Sequence, residues 1–201
     1  ISLSATASTI TCSTQAITLT ASGANSYMWT TGATSPSIVV TSAGNYSVVA
    51  TASNGCTASA SQLINVDTHI PSLTINATST IITCTTPSVT LTAVGEGVLS
   101  WTTQNITAPG TYTVSTVASN GCSNSSSITI TRDVAVPVVS ISAPITELNC
   151  ATPSLVITAT GTGTLSWTSL NVTDPGTYSV VATAGNGCTA TDQVVITQKI
   201  T

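Results

Sequence analysis

The stretch Gly110–Cys122 reads GTYTVSTVASNGC, and its pattern occurs three times in the chain. Polar and apolar residues alternate from Tyr112 to Thr116, which predicts a β-strand with one buried face. Asn120 and Gly121 tolerate positive φ, so the pair predicts a tight hairpin turn of the mirror-image type. The stretch therefore predicts a strand, a hairpin turn, and a cysteine at the start of the returning strand.

The whole chain consists of three copies of one unit. In each copy, a first cysteine is followed 17 residues later by a tryptophan. A tyrosine then precedes the second cysteine by ten residues, and that cysteine directly follows Asn-Gly. The twelve residues are Cys12, Trp29, Tyr46, Cys56, Cys84, Trp101, Tyr112, Cys122, Cys150, Trp167, Tyr178 and Cys188. Self-similarity at this period indicates a tandem repeat.

Short junctions that contain proline separate the copies. VDTHIP ends at Pro71 and RDVAVP ends at Pro137, each with an aspartate four residues before the proline. These junctions place the domains at residues 1–68, 69–134 and 135–201. Because the linkers are short and contain no Gly-Ser run, we expect an elongated, semi-rigid rod.

Composition excludes several classes of function. The chain has 201 residues, of which 43 are Thr and 29 are Ser, and it has only two basic residues. Two cations cannot follow a phosphate backbone or an anionic membrane surface, so we expect no nucleic-acid partner. No run of 18 apolar residues is present, which argues against membrane insertion. The six cysteines favour an oxidising compartment, and the first residue, Ile1, suggests an interior or mature portion of an exported protein.

The strand pattern predicts an all-β protein. Each copy shows six or seven short strand-like runs, with the order Cys, Trp, Cys. This combination predicts three tandem, small immunoglobulin-like β-sandwich domains. The second cysteine lies ten residues after the tyrosine, rather than two as in antibody domains. A disulfide at this position would tie a strand edge to a turn.

The first copy resembles a known family of repeats. The run YMWTTGATSPSIVVTSAGNYSVVATASNGCTASA at residues 27–60 is similar to the tandem repeats of giant surface adhesins of Bacteroidota. These include the SprB-like gliding-motility adhesins and other cargo of the type IX secretion system. The later copies, with WTTQNITAPGTY and WTSLNVTDPGTY, lack the Gly-Ala-Thr segment. The resemblance implies an extracellular, filamentous, non-enzymatic protein whose partners include neighbouring repeats of the same long chain, and it implies no ligand-binding residues.

The cysteines are expected to form structural disulfides. A zinc site would need paired cysteines or clustered histidines, and the chain has one histidine, His69. A thiol nucleophile would need a base in each copy. We therefore expect one disulfide within each copy: Cys12–Cys56, Cys84–Cys122 and Cys150–Cys188. Such crosslinks stabilise domains that are too small to rely on core burial alone.

The remaining candidate residues indicate structure more than chemistry. The fixed phase of the tryptophans and tyrosines relative to the cysteines predicts core residues, with a tyrosine corner at each tyrosine. The six carboxylates are scattered without the repeated pair that a glycosidase needs, and no catalytic motif is present. We therefore predict no enzyme activity and no cofactor. A weaker alternative is Ca²⁺ bound at the junctions near Asp67 and Asp133, although calcium prefers six to eight oxygen ligands.

These observations predict a stalk or filament segment of an extracellular cell-surface adhesin. An alternative is a module that binds surface glycans or other cell-surface proteins through the first copy, where an Asn25–Met28 loop and the GATSPS segment at residues 32–37 are the candidate contact residues. A further alternative is a filament subunit that is completed by a strand from its neighbour. The variable stretch between Trp101 and Tyr112 would then leave the gap that such a strand fills.

Overall fold

The computed structural model describes residues 1–199, and every regular element in that range is a β-strand. The strands form three series of seven that follow the same order, as expected from the repeated sequence. Within the described residues, no helix is long and apolar enough to cross a bilayer. The all-β prediction is therefore confirmed.

The first copy forms a sheet of three strands and a sheet of four strands. Their orders are β1-β3-β5 and β2-β7-β6-β4. The strands are β1 Ser2–Ala5, β2 Thr9–Thr11, β3 Ile17–Ser22, β4 Ser26–Trp29, β5 Ser37–Val40, β6 Gly44–Thr51 and β7 Thr57–Asp67.

The second copy repeats this architecture, with sheet orders β12-β10-β8 and β11-β13-β14-β9. Its strands are β8 Leu73–Ala77, β9 Ile81–Ile82, β10 Val89–Gly95, β11 Val98–Leu99, β12 Thr103–Ile106, β13 Gly110–Val117 and β14 Ser123–Arg132.

The third copy has sheet orders β15-β17-β19 and β16-β21-β20-β18. Its strands are β15 Val139–Ser142, β16 Glu147–Leu148, β17 Leu155–Gly161, β18 Thr164–Leu165, β19 Ser169–Val172, β20 Gly176–Thr183 and β21 Thr189–Gln198. Two sheets with this strand order in every copy give an immunoglobulin-like sandwich.

Alternating burial along the strands explains why each pair of sheets packs together. In β3, Ile17, Leu19 and Ala21 are buried while their neighbours are not. Apolar residues at every second position give a strand one buried face. The third copy repeats the pattern in β17, where Leu155 and Ile157 contribute to its core.

The chain also divides into two compact units. One consists of Ile1–Ile75, Ala93–Thr102 and Thr113–Ser127. The other consists of Asn76–Thr92, Thr103–Tyr112 and the chain from Ile128 onward. The middle copy of the repeat thus contributes residues to both units.

The stretch between Trp101 and Tyr112 does not lack a strand. It contains β12, which pairs in antiparallel register with β10, from Val89↔Ile106 to Thr92↔Thr103. The predicted gap is therefore wrong at this place, because the shorter loop of the later copies still reaches the sheet edge. In the first copy, β5 occupies the same position.

Candidate functional site

The first cysteine of each copy follows a short strand that lies at the end of a long one. In the first copy, β2 pairs in parallel with the last part of β7, in the register Thr9↔Asn65 to Thr11↔Asp67. A turn follows at once, in which the Thr11 N–H donates to the Thr14 carbonyl at 2.9 Å. This arrangement places Cys12 beside the junction that begins at Asp67.

The second cysteine of each copy ends a hairpin turn. The Gly121 N–H donates to the Ala118 carbonyl at 2.9 Å, and the φ of Gly121 is 79°. Asn120 does not adopt positive φ; its Oδ1 instead accepts the N–H of Cys122 at 3.0 Å. The turn is thus a regular β-turn followed by a left-handed glycine, rather than the predicted mirror-image turn. The asparagine is needed here for its side chain, which caps the backbone of the cysteine.

The disulfides join one copy of the repeat to the next. Cys12 bonds to Cys122 and Cys84 bonds to Cys188, each with a Cα–Cα distance of 5.0 Å. The bonded pairs span 110 and 104 residues. Hereafter each bond, with its two turns, is called a staple. The first staple lies within one compact unit and the second lies within the other.

The predicted pairings Cys12–Cys56, Cys84–Cys122 and Cys150–Cys188 are wrong. Cys56 lies directly before Thr57, the first residue of β7. Cys12 lies at the other end of the strand, because its neighbour Thr11 pairs with Asp67, the last residue of β7. Ten residue steps of extended strand separate these positions by about 34 Å, while a disulfide requires Cα atoms within about 7 Å. Cys150 and Cys188 lie at opposite ends of β21 for the same reason, since β16 pairs with Thr197 and Gln198.

In each staple, the asparagine that caps the second cysteine also donates hydrogen bonds to the junction between the copies. The Nδ2 of Asn120 donates to Asp67 Oδ1 and to the His69 carbonyl, both at 2.9 Å. At the second junction, the Nδ2 of Asn186 donates to Asp133 Oδ1 at 2.8 Å and to the Ala135 carbonyl at 2.9 Å. The aspartate of one junction and the turn of the following copy therefore bind each other. This explains the aspartates that precede both prolines.

The junction lowers the pKa of Asp67. The largest cause is the hydrogen bond from the Asn120 side chain, followed by the backbone N–H of His69. Both donors favour the ionised carboxylate. At neutral pH, Asn120 therefore donates its hydrogen bond to an ionised Asp67 carboxylate.

The turn glycines fit tightly against the first cysteine's turn. A Cβ added to Gly121 would lie 2.7 Å from the Cβ of Ser13. The same atom on Gly187 would collide with Thr85. In contrast, a Cβ on Gly55, in the corresponding turn of the first copy, would meet no atom within 4 Å. Only a glycine suits the two occupied turns, both for its φ and for its lack of a side chain.

A groove of about 540 Å³ lies beside the first staple. There, Glu96 Oε2 accepts the Ser72 N–H and contacts His69 Nε2, both at 3.1 Å. The Ser72 N–H and then the imidazole lower the pKa of Glu96. At the second junction, Thr162 Oγ1 accepts the Val138 N–H in the same way. Because the imidazole and carboxylate are mostly exposed, their pairing adds little stability.

The donor set of the junctions does not fit Ca²⁺. The first junction provides Asp67 and Glu96, and the second provides Asp133. Hydrogen-bond donors already occupy Asp67 Oδ1, Asp133 Oδ1 and Glu96 Oε2. Among residues 1–199, no group of three His, Cys, Asp or Glu side chains lies close enough to hold a metal. Ca²⁺ usually requires several carboxylates in one place. The staple and the amide–carboxylate hydrogen bond are the groups that join the copies here.

The tyrosines have equivalent positions in all three copies. The hydroxyls of Tyr46, Tyr112 and Tyr178 each donate to a carbonyl four residues upstream, at 3.0, 2.8 and 2.8 Å. This bond is the tyrosine corner of immunoglobulin-like domains. All three rings are partly buried.

The tryptophans differ in burial. Trp29 is 2% exposed, and its Nε1 donates to the Ser35 carbonyl. Ser35 lies between Trp29 and Tyr46, a segment that is six residues longer than its equivalents in the later copies and so carries an insertion. Trp101 and Trp167 are only partly buried, and they donate to the carbonyls of Thr113 and Ser179. The insertion of the first copy thus covers its tryptophan more completely.

Two cysteines have no partner among the described residues. Cys56 and Cys150 are both free and exposed. Cys122 and Cys188, the equivalents of Cys56, are 2% and 1% exposed, because the neighbouring copy covers them. The expected Asn25–Met28 loop is wrong, because Ser26–Met28 lie in β4 and pair with β6, and the hydroxyl of Tyr27 bonds to the backbone of Ala24.

Comparisons with known proteins identify the fold. No family model matches the chain, and no curated protein matches its sequence. A solved structure described as "Ca2+-stabilized adhesin helps an Antarctic bacterium reach out and bind ice" is similar, with a TM-score of 0.53 and 17% identity. The match covers 98% of this chain and 74% of that chain. The likeness shows that tandem β-sandwich repeats of this kind occur in a bacterial adhesin.

Proposed function

We propose that this chain is a structural segment of an extracellular, cell-surface adhesin, and that its repeats act as a stalk. The observation that carries the proposal is the covalent staple between consecutive copies. A disulfide within a domain stabilises that domain alone, whereas a disulfide between copies also prevents them from separating. This property suits a segment that must transmit load from a surface to a distant binding site.

Two further observations support the proposal. The fold of the chain is similar to that of a bacterial adhesin. Its disulfides are typical of proteins outside the reducing cytosol. The sequence resemblance to Bacteroidota surface adhesins extends the proposal to gliding motility and type IX secretion.

An elongated arrangement of the three copies belongs to the same proposal. Small-angle scattering of the oxidised chain tests it. A maximum dimension of roughly 100 Å, the length of three sandwiches placed end to end, agrees with a stalk. A compact particle of the same mass contradicts the stalk.

The proposal also predicts that the chain bears load without binding surface ligands itself. The test immobilises the oxidised chain and measures binding to a glycan array and to intact cells. A spacer gives no signal above that of an unrelated immunoglobulin-like domain. Saturable binding that requires residues Asn25–Met28 would instead support the adhesive alternative.

A further inference from the structure

Resting on the proposed function, we infer that the exposed Cys56 and Cys150 are the two complementary halves of further staples, each of which binds the opposite half-site of another repeat of this kind, so that two separate copies of this chain also join head-to-tail. Both occupied staples consist of the same two halves. One half is the turn after a short strand, with the cysteine in second position, and the other is the Asn-Gly-Cys turn. One half of each kind is left free among the described residues.

Cys56 lies in a turn already shaped to bind. The Gly55 N–H donates to the Ala52 carbonyl at 2.9 Å, and the Cys56 N–H donates to Asn54 Oδ1 at 3.1 Å. These bonds match those around Cys122 and Cys188, which do have partners. The space beside Gly55 is open at the place where Ser13 packs against Gly121. The turn therefore presents an unoccupied binding surface.

Cys150 lies in the opposite half. The Asn149 N–H donates to the Thr152 carbonyl at 3.2 Å, as the Thr11 and Thr83 N–H groups do in the turns that hold Cys12 and Cys84. The short strand β16 pairs in parallel with β21, as β2 does with β7. Within this structure, the same half-site binds an Asn-Gly-Cys turn twice. That repeated occupancy identifies the partner that each free half would bind.

The third copy differs from the others in the charge that it places beside the half-site of Cys150. Lys199 stands where Asp67 and Asp133 stand in the other copies, and its N–H donates to the Leu148 carbonyl at 2.9 Å. The carboxylate that accepts the asparagine Nδ2 in both occupied staples is therefore missing from this half. The contact between two copies is weaker than the contact within one chain, and the disulfide is needed to hold it.

The bond formation is a thiol–disulfide exchange. The Cys56 thiol of one copy and the Cys150 thiol of the other release two protons and two electrons in total. A low-molecular-weight disulfide such as oxidised glutathione accepts them and leaves as two thiols, while the new S–S bond forms. Because the two half-sites differ, the contact is heterologous, so each added copy leaves one half-site free and the products are longer chains or closed rings.

The experiment uses two variants of the full chain, Cys56→Ser and Cys150→Ser, with glutathione redox buffer and trapping by alkylation. Circular dichroism confirms that each variant keeps its strand content. Non-reducing gels and light scattering then measure the products. The expected result is a ladder for the unmodified chain and monomers for each variant alone. A mixture of the variants should give one Cys56–Cys150 dimer in several-fold excess over either homodimer.

Other outcomes overturn the inference. Homodimers of each variant, in amounts comparable to the mixed dimer, would show random oxidation of exposed thiols. An unmodified chain that loses both thiols, gains no mass from bound glutathione and yet remains monomeric would show an internal bond instead. Lys199→Asp should accelerate formation of the mixed dimer relative to Lys199→Ala, since it restores the junction carboxylate. Equal rates for these two variants would show that the two half-sites do not bind each other before the disulfide forms.

Discussion

Force extension of the single oxidised chain gives a length that depends directly on how the cysteines pair. The perturbation is full unfolding by pulling on the two chain ends, with and without a reductant. Position 12 and position 188 lie 176 positions apart in sequence. In the reduced chain these positions can separate to about 600 Å, at about 3.5 Å per residue.

The two staples interlock, and this shortens the path that carries the load. Tension passes from Cys12 to Cys122, backward along the chain to Cys84, and across the second bond to Cys188. Only the 38 positions from 84 to 122 then extend, which gives about 130 Å. Pairing within each copy would leave two 28-position segments between the bonds instead, which gives about 200 Å.

Atomic force microscopy measures this length, and the matched control is the double variant Cys84→Ser/Cys188→Ser. That variant keeps one staple, so 66 positions extend between 122 and 188, to about 230 Å. The expected order of lengths is oxidised chain, double variant, reduced chain. An oxidised chain that extends as far between positions 12 and 188 as pairing within each copy allows would refute the interlocked arrangement.

Three other perturbations test the junction itself. Gly121→Ala should lower the free energy of unfolding by about 1–3 kcal/mol more than Gly55→Ala in urea titrations, because both residues have positive φ but only Gly121 packs against Ser13; equal losses would rule out the contact. Because hydrogen bonds lower the pKa of Asp67 in the folded state, its stabilisation is present at neutral pH and is lost as the pH falls through and below about 4. Melting temperatures measured across this range should fall less steeply for Asp67→Asn, and an unchanged slope would contradict this role. Calcium chloride and a chelator should give the same melting temperature, whereas a reductant should lower it; a clear increase with calcium would show a metal site that the donor set does not predict.

The strands and their packing were predictable from the sequence because they depend on local patterns. Alternation of apolar residues identified the buried faces, and the recurrence of Tyr46, Tyr112 and Tyr178 located three tyrosine corners. Each of these features depends on residues a few positions apart. The extra loop after Trp29 was equally visible as an insertion, although its effect on burial was not.

The pairing of the cysteines was not predictable by the same reasoning. It depends on the direction in which the three-residue strand β2 pairs with β7, and a parallel pairing sends Cys12 to the far end. The sequence does contain two signals of this arrangement. The second cysteine lies past a hairpin turn instead of within the sandwich, and an aspartate precedes each junction proline. The side chain of Asn120 bonds both to Asp67 and to the backbone of Cys122, and these contacts can be seen only in the structure.

Trypsin offers the most direct test of the staple between copies, because the chain has basic residues only at Arg132 and Lys199. Free thiols are first alkylated, and the oxidised chain is then unfolded in urea and cut after Arg132. Since Cys84 and Cys188 lie on opposite sides of the cut, the two fragments should remain joined on a non-reducing gel and separate on adding a reductant. The double variant Cys84→Ser/Cys188→Ser should separate without a reductant. Separation of the unmodified chain without a reductant would contradict the account, because its cysteines would then be paired within each copy.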